Sequence, residues 1–246
     1  MLDPDIYQIL ITSDNKIPDK LPDYTLECIE SIKKVYSKSN IKFLSGDDIE
    51  NIIKNNFSQE IFIAYQKFIP YAYKCDIARL CVLYLYGGMY IDLDTKFLNK
   101  IPFLNQVDFF AFRDIITMSR RSWSVSNSII YAKKGCPILT NALDKIVKNC
   151  NNNYYGISPI CPSGPIVLGK SICSFEDTQN KVSTEGELLP LTPSHDKRNL
   201  AYVLDDGTIV ALRKPYRGGE MFINKTNNYY LMWHHKKIYR ECILNE

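Results

Sequence analysis

The chain has 246 residues, 46% hydrophobic and 23% charged, which is enough to bury a large core and excludes disorder along its whole length. Its 30 basic and 27 acidic residues are interspersed, giving a formal charge of +3 without a polybasic block, so composition offers nothing to a nucleic-acid partner. There is no apolar run long enough to span a bilayer, no Cys-x-x-Cys pair among the 8 cysteines, and no signal-peptide character in Met1-Leu2-Asp3-Pro4-Asp5. The expectation is a cytoplasmic protein with reduced thiols and no transmembrane segment, with peripheral membrane association left open.

Residues 6–11 read as a buried strand running into Thr12-Ser13-Asp14-Asn15, a group that favours turns. Asp23 is the expected cap of a helix with Leu26, Ile29, Ile32, Lys33 and Tyr36 at helical spacing, and residues 41–44 form a second strand, completing a β-α-β unit. Two helical segments follow at 48–57 and 58–68. Pro70 then opens a longer helix with Tyr73, Ile77, Leu80, Cys81 and Tyr84 on one face, ended by Gly87-Gly88. A strand over 89–93 comes next, then strands at 107–112 and 127–132. A helix over 136–150 fades into Asn151-Asn152-Asn153. Residues 200–204 and 208–212 make a β-hairpin through Asp205-Asp206-Gly207, and 229–233 reads as a last strand. With no repeat and no linker, the pattern predicts one α/β domain over 1–246, built on a mostly parallel sheet covered on both faces.

The chemistry concentrates in Asp76-Ile77-Ala78-Arg79 followed by Tyr86-Gly87-Gly88-Met89-Tyr90-Ile91-Asp92-Leu93-Asp94. Residues two apart on a strand face the same side, so Asp92 and Asp94 present two carboxylates together if extended geometry persists to Asp94. Hard oxygen ligands of this kind suit Mg²⁺ or Mn²⁺ and leave positions open for phosphate oxygens. On its own Asp-Leu-Asp also fits a solvated turn; the C-terminal end of an apolar strand is where open α/β sheets bind ligands. Asp76 and Arg79 share a helix face, which fits either a plain ion pair or a pair of groups holding sugar hydroxyls and phosphate.

Asp-x-x-Arg, a helix ending in Tyr-Gly-Gly, and Tyr-x-Asp-x-Asp together resemble the sugar-binding region of glycosyltransferase family 32 and its relatives. That group includes yeast-type outer-chain mannosyltransferases, bacterial capsular and lipooligosaccharide transferases and, more distantly, the clostridial glucosylating toxins. The resemblance is specific through residues 70–98. It implies a Rossmann-like GT-A fold with a small C-terminal β-hairpin region, and a nucleoside diphosphate sugar donor, UDP- or GDP-linked. It further implies Mn²⁺ or Mg²⁺, hexose transfer with retention, and a place in polysaccharide biosynthesis. By position, Asp76 and Arg79 contact the donor sugar, Asp92 lies near ribose and metal, and Asp94 ligates the metal. Ile6-Tyr7-Gln8-Ile9 resembles the family's opening Ile-His-Gln-Ile strand, with Tyr7 for His and Leu10 for the following Trp, which implies Gln8 and Ile9 near the base. Asn127, ahead of Gly135-Cys136-Pro137, would approach the reacting sugar, and Ser163-Gly164-Pro165 resembles a Thr-Gly-Pro element at the donor. Trp233-His234-His235 resembles a terminal segment in which His234 or His235 completes the metal shell. On this reading residues 1–112 serve the donor and 113–246 the acceptor.

A departing diphosphate would be stabilised by the cation at Asp94 and by Arg79. Two other readings remain: a metal-dependent phosphotransferase or nucleotide hydrolase, which lacks a Gly-x-x-x-x-Gly-Lys loop here, and a catalytically silent sugar-nucleotide binder. The acceptor, whether glycan, protein or lipid, has no readable code in the loops at 113–124 and 150–162.

Overall fold

The computed structural model describes residues 3–114, 123–175, 181–191, 200–213 and 227–241. The first strand, β1 (Ile6–Leu10), is followed by α1 (Asp23–Val35), β2 (Ile41–Ser45), α2 (Gly46–Asn56), α3 (Gln59–Lys67) and α4 (Tyr71–Tyr86). β1 pairs in parallel with β2, so the predicted β-α-β unit is present. Asp23 is not the cap of α1. Pro22 holds the cap position without a side-chain bond, and Asp23 lies in the first turn, where its charge complements the helix dipole. A capping box closes the start of α2 instead: Asp48 N–H donates to Ser45 Oγ, and the Asp48 carboxylate accepts from Ser45 N–H.

α4 is more deeply embedded than one apolar stripe suggests, with an unbroken buried run from Asp76 to Leu83. Gly87 ends it at φ +69, and Gly88 follows at φ +102. A Cβ at Gly88 would come within 2.4 Å of the Asp5 carbonyl oxygen, so the tight passage from helix to strand requires glycine. β3 (Gly88–Ile91) then pairs in parallel with β1. β3 stops at Ile91, short of the predicted Leu93. Asp92 N–H still donates to Ser128 O, but the Asp92 carbonyl accepts from Thr95 N–H, which turns the chain at Leu93-Asp94 into β4 (Thr95–Phe97).

The rest of the sheet comprises β5 (Phe109–Arg113), β6 (Val125–Ala132), β7 (Val182–Ser183), β8 (Glu187–Pro190), β9 (Leu200–Val203) and β10 (Ile209–Arg213), with α5 (Pro137–Asn151) and α6 (Pro165–Cys173) between β6 and β7. The strand order is β2-β1-β3-β6-β5-β8-β9-β10-β4, with β7 beside β5. Parallel pairing holds for β2-β1-β3 and where β5 meets β7 and β8; β3-β6, β6-β5, β8-β9, β9-β10 and β10-β4 are antiparallel. The sheet is thus mixed, and the predicted hairpin is β9-β10. β3 and β4 lie far apart in this order, yet the chain from Ile91 to Thr95 spans at most about 14 Å. The sheet must therefore curl until its β4 edge returns to the end of β3.

Alternation along the strands divides the core. Tyr7, Ile9, Tyr90, Phe109, Ala111 and Ile130 face one cluster with residues of α2 to α6; Ile6, Met89, Ile91, Phe110, Phe112 and Ile129 face a second with α1 and the β8-β9-β10 strands. The predicted strand over 229–233 is instead a short helix, α7 (Tyr229–His234). Asn228 accepts a hydrogen bond from Leu231 N–H and starts the helix, and helical spacing brings the Tyr230 and His234 rings to 4.4 Å. Among the described residues Cys75, Cys81, Cys136 and Cys161 are free thiols, and Cys242 lies outside the described residues. No helix among the described residues is long and apolar enough to cross a membrane.

Candidate functional site

The predicted site assembles where the sheet closes on itself. Asp76 and Arg79 lie one turn apart on α4, and both are buried. The Asp76 carboxylate accepts from Asn127 Nδ2 at 2.6 Å and from Ser163 Oγ at 2.7 Å, with Arg79 Nη2 at 3.5 Å. A Cβ on Gly164 would stand 3.2 Å from Asp76 Oδ2, so the Ser163-Gly164-Pro165 turn lays bare backbone against that carboxylate. Burial pushes the Asp76 carboxyl up to about 6, against the opposing pull of Arg79 and of the Ser163 hydroxyl.

Arg79 distributes its donors over three elements. Nε donates to Cys75 O at 3.1 Å, and Nη1 donates to Asp92 Oδ1 at 3.2 Å and to Asn127 O, while the guanidinium lies 4.4 Å over the Tyr90 ring. Tyr90 Oη donates to the same Asp92 oxygen at 2.6 Å. Asp92 is thereby held from β3 and α4 together. This arrangement follows from the spacing: Tyr90 and Asp92 are alternate residues at a strand end, and α4 runs back over that strand.

Asp94 is held differently. Its Oδ2 accepts from Arg213 Nε at 3.2 Å, whereas its Oδ1 is buried and has no hydrogen-bond partner among the described residues. Burial raises the Asp94 carboxyl, Arg213 lowers it and the neighbouring Asp92 charge raises it again. Arg213 is the residue that sequence reasoning missed. It reaches Asp94 because β10 pairs antiparallel with β4, setting Arg213 opposite Thr95. Tyr229 was also missed as a site residue. Half-buried, it meets the Tyr73 ring at 5.9 Å; burial raises its hydroxyl, Arg213 lowers it, and the Asp76 and Asp92 charges raise it further.

The other predicted residues are spread more widely. Asn127, Ser163 and Gly164 stand at Asp76 as described, although they come from the part assigned to the acceptor. Gln8 and Ile9 are buried within β1, and Gln8 Nε2 has no partner among the described residues. His234 and His235 are exposed, His234 in α7 against Tyr230 and Trp233 and His235 at its end. Among the described residues no group of at least 3 His, Cys, Asp or Glu side chains is arranged to hold a metal, so these histidines do not join Asp92 and Asp94 in one. Of the two loops without a readable acceptor code, residues 115–122 lie outside the described residues.

Comparison with known proteins bears on the fold and on the region that contains Asp76 to Asp94. Residues 2–113 match the family described as "Glycosyltransferase sugar-binding region containing DXD motif". A protein of Acanthamoeba polyphaga mimivirus, named as an uncharacterized glycosyltransferase, is 39% identical over 89 residues, or 36% of this chain. The match spans about a third of that relative's length, 34%. Among solved structures, the PaToxG glycosyltransferase superposes with a TM-score of 0.52 at 20% identity, covering 70% of this chain and 69% of that one. The likeness shows a shared fold, in line with the expected GT-A arrangement.

Proposed function

We propose that this protein, whose residues 2–113 match a DXD-motif glycosyltransferase sugar-binding region, transfers a hexose from a UDP- or GDP-sugar to a hydroxyl acceptor, with Asp94 holding Mn²⁺ or Mg²⁺ at the donor diphosphate. One observation carries this reading: the two acidic residues of the turn have opposite surroundings. Asp92 is held by Arg79 and Tyr90, whereas Asp94 keeps a buried oxygen without a hydrogen-bond partner among the described residues. An orphaned carboxylate oxygen suits a hard cation, and a site with few protein ligands leaves positions for phosphate oxygens. Bound there, the cation would neutralise charge developing on the departing diphosphate.

The protein's own groups do the rest. Asp76, aimed by Asn127 and Ser163, offers its carboxylate edge to sugar hydroxyls, and Arg79 presents a planar cation beside it. Both Asp76 oxygens already accept hydrogen bonds and Asp92 is bound to Arg79 and Tyr90, which disfavours either as base for an acceptor proton. Retention, with a departing phosphate oxygen taking that proton on the same face, is the stereochemistry this favours. The thiols of Cys75, Cys81, Cys136 and Cys161 suit a reducing compartment, and on that ground the proposal puts the reaction in the cytoplasm.

The test is release of nucleoside diphosphate from a panel of UDP- and GDP-sugars with Mn²⁺, with a chelator control. One donor should be consumed, and chelator or Asp94→Ala should suppress it by about 10²-fold or more. Consumption that is indifferent to both would refute the assignment.

A further inference from the structure

The most exposed large hydrophobic side chain described is Ile157, at 76%, and it is not isolated. Tyr154 beside it is 38% exposed, and Tyr230 and Leu231 of α7 are 46% and 51% exposed. The two segments are fastened together. Trp233 Nε1 donates to Tyr155 O at 2.7 Å, Tyr239 Oη donates to Tyr154 O at 2.6 Å, and the Tyr155 and Tyr239 rings meet edge to face at 5.5 Å. The two segments that carry these four exposed apolar groups are thus joined to each other.

Their surface is also cationic. Lys236, Lys237 and Arg240 are exposed along it, and residues 229–240 and 152–162 contain no acidic side chain, the exposed Glu241 following directly on Arg240. Lys236 is held in an unusual way. α7 ends with Lys237 N–H donating to Met232 O and Lys236 N–H to Trp233 O, the double closure that normally places glycine at the left-handed position. Here Lys236 takes that position at φ +56, and its ammonium lies 4.3 Å over the Tyr155 ring and 5.1 Å over that of Trp233. A strained backbone thus holds a cation on top of the aromatic seam.

The same seam borders the carboxylate site. Tyr73 Oη donates to Pro159 O, the loop continues to Ser163 at Asp76, and Tyr229 at the start of α7 packs on Tyr73.

We propose that this face, with Tyr154, Ile157, Tyr230 and Leu231 as its apolar tips and Lys237 and Arg240 as its cationic rim, docks on an anionic lipid bilayer and presents the carboxylate site to an acceptor carried there. The chemistry selects this occupant: aromatic and aliphatic tips enter the boundary between headgroups and chains, while flanking cations meet the negative potential of the cytoplasmic leaflet. The acceptor clause rests on the glycosyl-transfer reading; the docking does not.

Co-sedimentation with phosphatidylcholine vesicles, with and without phosphatidylserine, tests it. Wild type should bind the anionic vesicles and much less the neutral ones. Lys237→Glu/Arg240→Glu should lower partitioning by at least about tenfold, since each basic side chain near the surface adds attraction and each reversal replaces it with repulsion. Ile157→Ser/Leu231→Ser should lower it severalfold, whereas Leu26→Ser, at an exposed apolar position on α1, should leave it unchanged. Thermal melting and nucleoside diphosphate binding of both double variants should match wild type. The proposal is overturned if wild type ignores anionic vesicles, if Leu26→Ser does as much as the paired changes, or if light scattering finds a dimer that Ile157→Ser/Leu231→Ser dissociates. Vesicle binding without nucleoside diphosphate binding would remove the transferase reading and leave the docking; the converse would remove only the docking.

Discussion

Asp92 and Asp94 are two residues apart and belong to opposite halves of the curled sheet. Asp92 extends β3, shares β6 through Ser128 and is held from α4; Asp94 precedes β4 and is held from β10. The first half satisfies its carboxylate several times over, while the second leaves an oxygen buried and unpaired among the described residues. A site that must bind an anionic substrate through a cation needs both: a rigid wall whose carboxylates are already held by a buried arginine, and an adjoining acid with valence to spare. The difference teaches that the two letters of the Asp-x-Asp motif do different physical work.

The comparison is tested most strongly by removing the arginine on each side. Arg79→Ala strips the buried Asp76 and Asp92 of their counter-charge and should destabilise the fold by about 3–5 kcal/mol in denaturant titration. Arg213→Ala should cost under about 1 kcal/mol in the same titration, because that side chain is 40% exposed and solvent screens the pair. Equal losses would erase the distinction between the halves.

Between these lies a pH effect. The Asp76 carboxyl is raised from 3.8 to about 6 in the folded protein, so the folded state holds its proton more tightly than the unfolded chain does. Its contribution to stability is full below the unfolded value and is lost as pH rises through about 6. Asp76→Asn should therefore gain on wild type between about pH 4 and pH 7, by roughly 2–3 kcal/mol at most. A difference in stability that is flat with pH would place Asp76 outside the low-dielectric wall.

Gly164→Ala should have a smaller effect. Its methyl would press on Asp76 Oδ2 at 3.2 Å, weakening donor-sugar contacts by about tenfold in KM while shifting stability by about 1 kcal/mol or less. An unchanged KM would argue that the sugar does not lie against that turn.

What was legible in the sequence was local. Asp76 and Arg79 at helical spacing, Gly87-Gly88 as the end of α4 and the strand carrying Tyr90 and Asp92 are features within one or two turns of chain, and the structure keeps them together. The Asp94 surroundings depend on a pairing that no local pattern encodes: Arg213 bonds a carboxylate 119 positions earlier, through the register of β10 on the very short β4. Extended geometry failed to persist past Ile91 because the Asp92 carbonyl turns to Thr95. Residues 229–233 misled for a related reason. A run of Tyr, Tyr, Leu, Met and Trp is apolar at any period, and the cap at Asn228 decided for helix.

Calorimetric titration of wild type and Asp94→Asn with the nucleoside diphosphate of the consumed donor, with and without Mn²⁺, tests the central claim most directly. Mn²⁺ should tighten binding to wild type by about tenfold or more, and Asp94→Asn should lose that increment while keeping the metal-free affinity and the melting temperature. An Mn²⁺ increment that survives Asp94→Asn would show that the metal is held elsewhere and would contradict the division of labour between the two acids.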